Sequence, residues 1–368
     1  MTISVIDTAA GFALLRSEWN ELLAASSAES PFLTWEWLNA WWTHLAGSRR
    51  LAIVAMRDAE QLIAIAPFCK SRGRFPFLWR YELMGTGFAG SDYLDAFIRR
   101  GHELRALQAL ADYVRENEIA LHLVRLPQNS WLARLAPPLI ERGWSLQAAP
   151  DGFCPFIRLA GHSWDSFLAT IGPAHRATTR RRLRCLHKNF SMRFDRISDA
   201  DTRRLALTKL FEFHEARFGS RGTAFHTAAL RAFHIDATER LERSNVLRLI
   251  GLYLNDDIAG VMYGMSFQGR FYFYQHGYDP AFQSHGVGRA VLDLSIRSAI
   301  EEGIAEFDLL WGGEAYKSSW TSDKRPLVRL AVFPAHLGGR VHQRAAETES
   351  AVRAFARRVI SGHVPQAS

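Results

Sequence analysis

The chain has 368 residues, 48% of them hydrophobic and 22% charged. This composition belongs to a globular protein long enough for two domains, each with its own core; it excludes a disordered or fibrous chain. The formal net charge of +8 suits an anionic ligand, nucleic acid or an anionic membrane surface, and does not choose among them. Cys69, Cys154 and Cys185 lie far apart and form no Cys-x-x-Cys pair, so neither a metal site nor a disulfide framework is expected. No run approaches the roughly 18–20 apolar residues of a membrane span. Met1–Asp7 has neither the basic nor the apolar part of a signal peptide. A cytoplasmic protein is expected, without integral membrane contact and with peripheral association left open.

In chain order, Phe12–Ala25 and Trp35–Leu45 read as helices, and the apolar runs Leu51–Met56 and Leu62–Phe68 flank a turn as in an antiparallel hairpin. The tryptophans Trp19, Trp35, Trp37, Trp41 and Trp42 read as core, with Trp35 and Trp37 also candidates to line a sugar-binding cleft. Pro137-Pro138 and Asp151-Gly152 punctuate the chain and place a junction near 150–155. An arginine-rich helix follows, in which Arg176, Arg180 and Arg184 fall at i, i+4 and i+8 and form a cationic stripe. This stripe suits a phosphorylated or carboxylated acceptor, the phosphates of a donor, or a solvated helix face.

The order of the first half then recurs. Helical segments Asp201–Arg217 and Thr227–Arg243 precede strands Leu247–Leu254, Ile258–Phe267 and Arg270–Tyr278, with turns at Asn255-Asp256-Asp257 and Gln268-Gly269. The parallel predicts duplication of one α/β unit. After Gly286, the apolar residues Val287, Ala290, Val291 and Leu294 mark one helix face, and Gly303 is placed to end the helix. The loop Gln283–Gly288 therefore sits at a helix N-terminus, where free N–H groups and the positive end of the dipole attract anions. Gly286 and Gly288 let the backbone approach a bulky diphosphate, and Arg289 can add a charge-assisted contact. A short strand, Phe307-Asp308-Leu309-Leu310-Trp311, and then Gly312–Lys317 complete a βαβ unit. From about His342 the chain reads as a basic helix.

Gln283-x-x-Gly286-x-Gly288 resembles the pyrophosphate loop of the GNAT acyltransferase superfamily. The string Asp308-Leu-Leu-Trp-Gly312-Gly-Glu-Ala-Tyr316-Lys317-Ser-Ser-Trp320 resembles the signature of its CelD-type branch, which is related to FemAB. Ser30-Pro31-Phe32, Trp35-Glu36-Trp37, Ile65-Ala66-Pro67, Ser91-Asp92-Tyr93 and Trp164 extend the resemblance over nearly the whole chain. Leu309 stands where the branch often has Phe, and Gln283 where Arg is commoner. The resemblance implies an α/β (α+β) fold of two tandem GNAT-like domains, each a mixed, mostly antiparallel sheet flanked by helices. The expected divisions are 1–152, a degenerate copy without the glycine loop; 153–341, with the coenzyme A site; and 342–368, the basic tail.

The same resemblance implies an acyl-CoA donor, acetyl-CoA or another, with Gln275, Gly277, Tyr278, Gln283, Ser284, His285, Gly286, Val287, Gly288 and Arg289 around it and no metal. It implies two parallel strands that splay apart at Gln275–Tyr278 and Leu310–Trp311, opening backbone groups to the pantetheine arm. Tyr316 is the expected general acid and Lys317 a candidate to steady the oxyanion or bind an anionic acceptor. Asp308 is a candidate base or the partner of Lys317 or an arginine, and His276 is a further base. Trp35, Trp37, Arg180, Arg184 and Glu314 are the candidate acceptor contacts. The function expected is N- or O-acyl transfer to a sugar, saccharide-lipid or small amine, in exopolysaccharide or envelope synthesis. Two other readings stand beside it: aminoacyl transfer from aminoacyl-tRNA in the FemAB manner, the only one that involves nucleic acid, and a non-catalytic partner in polysaccharide export.

Overall fold

The computed structural model describes residues 1–72, 79–219 and 224–335, so the predicted C-terminal helix lies outside the described residues. The first half runs β1 (Thr2–Ile6), α1 (Ala9–Leu14), α2 (Arg16–Ala25), α3 (Trp35–Leu45), β2 (Arg50–Leu51), β3 (Ile53–Asp58), β4 (Gln61–Ala66), β5 (Phe68–Arg72), β6 (Trp79–Leu83), β7 (Phe97–Ile98), α4 (Glu103–Glu116), β8 (Leu121–Pro127) and α5 (Ala136–Ile140). After it come β9 (Ser145–Arg158), α6 (Trp164–Thr170), α7 (Pro173–Asn189), β10 (Met192–Arg196), α8 (Ala200–Phe218), α9 (Ala228–Arg243), β11 (Leu247–Leu254), β12 (Asp257–Phe267), β13 (Arg270–Tyr278), α10 (Val287–Glu301), β14 (Glu306–Asp308), α11 (Ala315–Ser318) and β15 (Lys324–Phe333). The expected hairpins and helices are present. Helix starts follow local chemistry: the Thr34, Asp199 and Thr227 side chains each accept a backbone N–H in the first turn of α3, α8 and α9.

Among the described residues the strands form two sheets, the smaller antiparallel and the larger mixed. One has the order β1-β3-β4-β7; the other has eleven strands in the order β10-β11-β12-β13-β14-β9-β15-β8-β6-β5-β2. Their pairings are antiparallel except β13 with β14 and β6 with β8. The larger sheet crosses the expected junction. β9 pairs with β14 through Phe156–Arg158 and with β15 from Ser145 to Pro155, and β15 in turn pairs with β8 of the first half. A boundary at 152/153 thus cuts a continuous strand. The signal read there as a linker is a bulge: Pro150 faces Val328 and Phe153 faces Pro326, so Asp151-Gly152 together oppose Leu327. Gly152 has φ +93, and a Cβ on it would stand 2.3 Å from Nε1 of Trp311, so only glycine fits.

The core is continuous across the halves as well. α3 packs on α9, and Trp37, fully buried, meets Phe233 and Tyr274 edge to face at 4.9 and 5.4 Å. Its Nε1 donates to Ser91 Oγ at 2.9 Å, while Nε1 of Trp35 donates to Phe12 O. Trp35 and Trp37 are therefore core residues and line no sugar cleft; their indole N–H groups are already satisfied inside the protein.

A second cross-half junction sits at the end of β14. Asp92, buried, accepts from Arg125 Nη1 at 2.7 Å and from the Trp311 N–H at 2.9 Å. Tyr93 Oη donates to Asp308 at 2.7 Å, and Asp308 also accepts from the Leu310 N–H and from Arg325. Burial pushes the Asp308 carboxyl up to about 6, with these donors holding it from rising further.

Two outcomes follow. Trp37→Ala leaves a large void between the halves and should cost about 3–5 kcal/mol in chemical denaturation, a loss that a surface sugar contact would not produce. Tyr93→Phe removes a donor to a carboxylate and should move the Asp308 midpoint, followed by carbon-detected NMR, above about 6. The folded value is above the unfolded one, so the stability withheld by this group at neutral pH should return as pH falls through 6 toward 4.

Candidate active site

β13 and β14 run parallel for three register pairs only: Arg270 with Glu306, Phe271 with Phe307, and Tyr272 with Asp308. β14 then stops. Leu310 takes φ +57, and the chain turns away, while β13 continues to Tyr278 against β12 alone. Residues 273–278 thus keep one edge without a strand partner among the described elements. This is the expected splay, and it presents N–H and C=O groups to an extended ligand.

The register of β13 on β12 slips by one residue: Phe273 faces Gly264 and Gln275 faces Tyr263, leaving Tyr274 as a bulge. Phe271 and Phe273 pack toward α10, whereas Tyr272 and Tyr274 join the core shared with the first half. Plain alternation would send His276 the way of Tyr272 and Tyr274. The bulge re-aims it to the α10 side, where it lines a cavity with Tyr316, 6.2 Å away between ring centroids.

This cavity, of about 310 Å³, sits at the N-terminus of α10. Gly286 caps the helix in the left-handed region, φ +68, and its neighbour on the cavity side is the Arg182 side chain, 3.3 Å from where a Cβ would be. A Cβ on Gly288 would lie 2.5 Å from the Tyr278 ring, so glycine is what allows Tyr278 to lie flat across the helix start. Gln283, Arg289, Arg182 and Arg217 complete a cationic rim, with Asp293 as the acid in the lining. Arg182 is held by an ion pair to buried Asp293, whose carboxyl is pushed up to about 6 by burial. Free helix N–H groups, two side-chain-free positions and three guanidinium groups give this end of the cavity a lining that attracts anions.

Of the residues expected around a donor, Tyr278, Gln283, Gly286, Gly288 and Arg289 line the cavity. Gln275, Gly277, Ser284, His285 and Val287 do not. Val287, the first residue of α10, is fully buried, His285 packs on Phe190, and Gly277 faces Leu210 and Phe213 of α8. Arg217 and His175 are lining residues that sequence reasoning did not single out, and two more come from the arginine-rich helix and the end of the signature string, Arg182 and Trp320. The stripe on α7 was drawn through Arg176, Arg180 and Arg184. Arg180 instead pairs with Asp165 at the surface, Arg184 is exposed, and neither lines the cavity; the inward residue is Arg182. Its signal was the acid Asp293 in the second turn of the partner helix, visible only once α7 and α10 are known to pack.

The reactive candidates divide. Tyr316 is half-buried in the cavity, and burial raises its phenol above the ordinary range, so it stays protonated and donates a hydrogen bond. His276 is held neutral, its value lowered to about 3 by burial and by Arg217, His214 and Lys317 nearby, which makes it a weak base. Lys317 is corrected from catalytic to structural: Nζ lies 2.8 Å from Trp311 O, 3.3 Å from Leu310 O and 2.9 Å from Glu314, so its three donors are engaged in holding the turn. Glu314 serves as its exposed partner and does not line the cavity. Asp308 pairs with Arg325 rather than Lys317 and faces away from this cavity. It lines a second one, of about 440 Å³, between the halves, with Tyr93, Tyr272, Trp131, Arg134 and Arg325 among its walls. Among the described residues no group of three or more His, Cys, Asp or Glu is placed to hold a metal, and no helix is long and apolar enough to cross a membrane.

Residues 173–318 match the family model described as an acetyltransferase (GNAT) domain. No curated protein sequence matches the chain. Three solved structures share the fold over nearly all of it. FemX is 11% identical over 93% of this chain and 99% of its own, with a TM-score of 0.59. A conserved protein of unknown function from Bacteroides thetaiotaomicron is 14% identical over 90% and 100%, at 0.58. L-PGS from Bacillus licheniformis is 10% identical over 90% and 95%, at 0.54. At these identities the likeness concerns the fold alone. The matched domain contains α7, the open edge of β13, the glycine loop and Tyr316, and it makes the chain an enzyme of the acyltransferase class.

Proposed function

We propose that the protein transfers an acyl group, acetyl in the first instance, from acyl-coenzyme A to an amine or hydroxyl of a sugar, saccharide-lipid or small amine. The observation that carries this reading is the coincidence of an anion-attracting lining at the start of α10 with the free edge of β13 leading from it to Tyr316. In this arrangement the Gly286–Gly288 backbone, Arg289, Arg182 and Arg217 hold the donor's phosphates. The pantetheine arm lies along residues 273–278 as an added strand.

The acceptor enters from the cavity between the halves, on the far side of the sheet. Its nitrogen or oxygen bonds to the thioester carbonyl carbon, the carbon–sulfur bond breaks, and the acceptor's proton passes to a base. Asp308 is that base in this reading: it ends the paired register, faces the acceptor-side cavity, and titrates near 6, close to working pH. Tyr316, with its raised phenol, is a weaker acid than a thiol, so full proton transfer to the departing sulfur is uphill. Its part is to donate a hydrogen bond to the charge that develops there.

The saccharide-type acceptor and a place in exopolysaccharide or envelope synthesis rest on the sequence resemblance. A second reading, aminoacyl transfer from tRNA, draws on the fold likeness to FemX and on the exposed basic face of α7. A tRNA donor has no diphosphate for the glycine loop to hold, and that favours the first.

Isothermal calorimetry with acetyl-CoA separates them. The protein should bind it, Gly288→Val should weaken binding roughly tenfold or more by driving a side chain into Tyr278, and Tyr316→Phe should keep the affinity while lowering kcat by about 10–100-fold. A folded wild-type protein that ignores acetyl-CoA, or a Gly288→Val variant that binds it unchanged, overturns the proposal.

A further inference from the structure

The far end of the large sheet, in the first half, carries a third concavity, of about 880 Å³, that acyl transfer does not use. Its floor is a three-strand ladder. Arg50 on β2 stands directly opposite Lys70 on β5, and Lys70 stands opposite Tyr81 on β6; two residues along, Arg72, beside the lining residues rather than one of them, stands opposite Trp79. Residues i and i+2 share a face, so these five side chains project on one side of the sheet. Arg50 and Arg72 both stack on Trp79, with guanidinium carbons 4.9 and 4.6 Å from the ring centre, and the Lys70 ammonium lies 5.3 Å from that of Tyr81.

Like charges directly opposite across a ladder destabilise a sheet. Arg50 faces Lys70 all the same, and no carboxylate among the described residues forms an ion pair with Arg50, Lys70 or Arg72. The acids in the wall are Asp7 and Glu118. By contrast Arg49, whose side chain also reaches this rim, is paired with Glu82. Three cations left unpaired on one face, at a cost to the sheet, mark a place where anionic groups arrive from outside.

We propose that this concavity binds an acidic saccharide chain, one bearing carboxylate or phosphate groups. Stacking on Trp79 fixes the two guanidinium planes and leaves their N–H edges free for paired contacts to such groups. The guanidinium groups over Trp79 compete for that ring with the bases of a single-stranded nucleic acid. At the wall the Tyr113 phenol bonds Tyr81 and Asn117 Nδ2 donates to Tyr113 O, which leaves Asn117 Oδ1 as a neutral acceptor for a hydroxyl. The site is independent of the acyl-transfer reading, and its failure would leave that reading untouched.

The test measures binding of the full chain to a galacturonate decamer, as the carboxylate source, and to a phosphomannan fragment, as the phosphate source. Neutral dextran, a thymidine 20-mer and vesicles containing phosphatidylglycerol are the comparisons. At least one acidic glycan should bind in a salt-dependent manner and in preference to all three comparisons. Lys70→Glu and the double variant Arg50→Ala/Arg72→Ala should each weaken it by roughly tenfold or more, with acetyl-CoA binding unchanged. Lys70→Glu replaces a repulsive cross-strand pair with an attractive one, so its Tm should equal or exceed that of the wild type, which separates lost binding from lost folding. Absence of binding to both acidic glycans, equal binding of dextran, preference for the oligonucleotide or the vesicles, or unaltered affinity in folded variants overturns the proposal.

Discussion

Everything at the active site depends on two parallel strands being kept apart. β13 and β14 pair up to Tyr272 and Asp308, and beyond that point a continuing ladder would bury the backbone groups that a ligand needs. The separation is held by buried polar chemistry rather than by a gap. Asp308 bonds the Leu310 N–H, Asp92 bonds the Trp311 N–H, and Lys317 bonds both carbonyls. With its N–H and C=O groups satisfied by side chains, the turn has no need of a strand partner. Each of these side chains is engaged elsewhere too: Asp92 with Arg125, and Asp308 with Tyr93 and Arg325.

The first half therefore helps hold the turn after β14, without a glycine loop of its own. Asp92 and Tyr93 reach across the junction to Trp311 and Asp308, while the neighbouring Ser91 accepts from Trp37 within the first half. The exchange of strands works in the same direction. β15 comes from the end of the described chain and pairs with β8 of the first half, while β9 spans both, so the cavity between the halves has walls in one continuous sheet. The electrostatics are divided across that sheet. The α10 side gathers Arg182, Arg217 and Arg289, while the other side holds Asp308, its carboxyl pushed up to about 6 by burial.

Local signals made much of this legible. The helices and hairpins follow from periodicity and turn residues, and the glycine loop announces its helix because Gly286 and Gly288 have no other reason to precede so regular an apolar face. Interactions between distant residues were hidden. Pro150 and Gly152 resemble a linker, yet they form a bulge because Trp311, far along the chain, packs on Gly152. Lys317 beside Tyr316 resembles a catalytic pair, yet its ammonium is consumed by carbonyls of the preceding turn. The bulge at Tyr274 leaves no mark in the composition of β13, although it decides which way His276 points. Trp35 and Trp37 show the converse: their buried partners lie in α1, the Ser91 loop, α9 and β13, and no spacing within α3 reveals that.

The central claim is that the open edge of β13 and the start of α10 together hold the acyl donor. Hydrogen–deuterium exchange with and without acetyl-CoA measures this directly, because amides that gain a partner exchange more slowly. The account predicts new protection concentrated in residues 273–278 and 286–290, with little change along β9 or in the first half. Protection confined to other segments, or none at saturating acetyl-CoA, would contradict it.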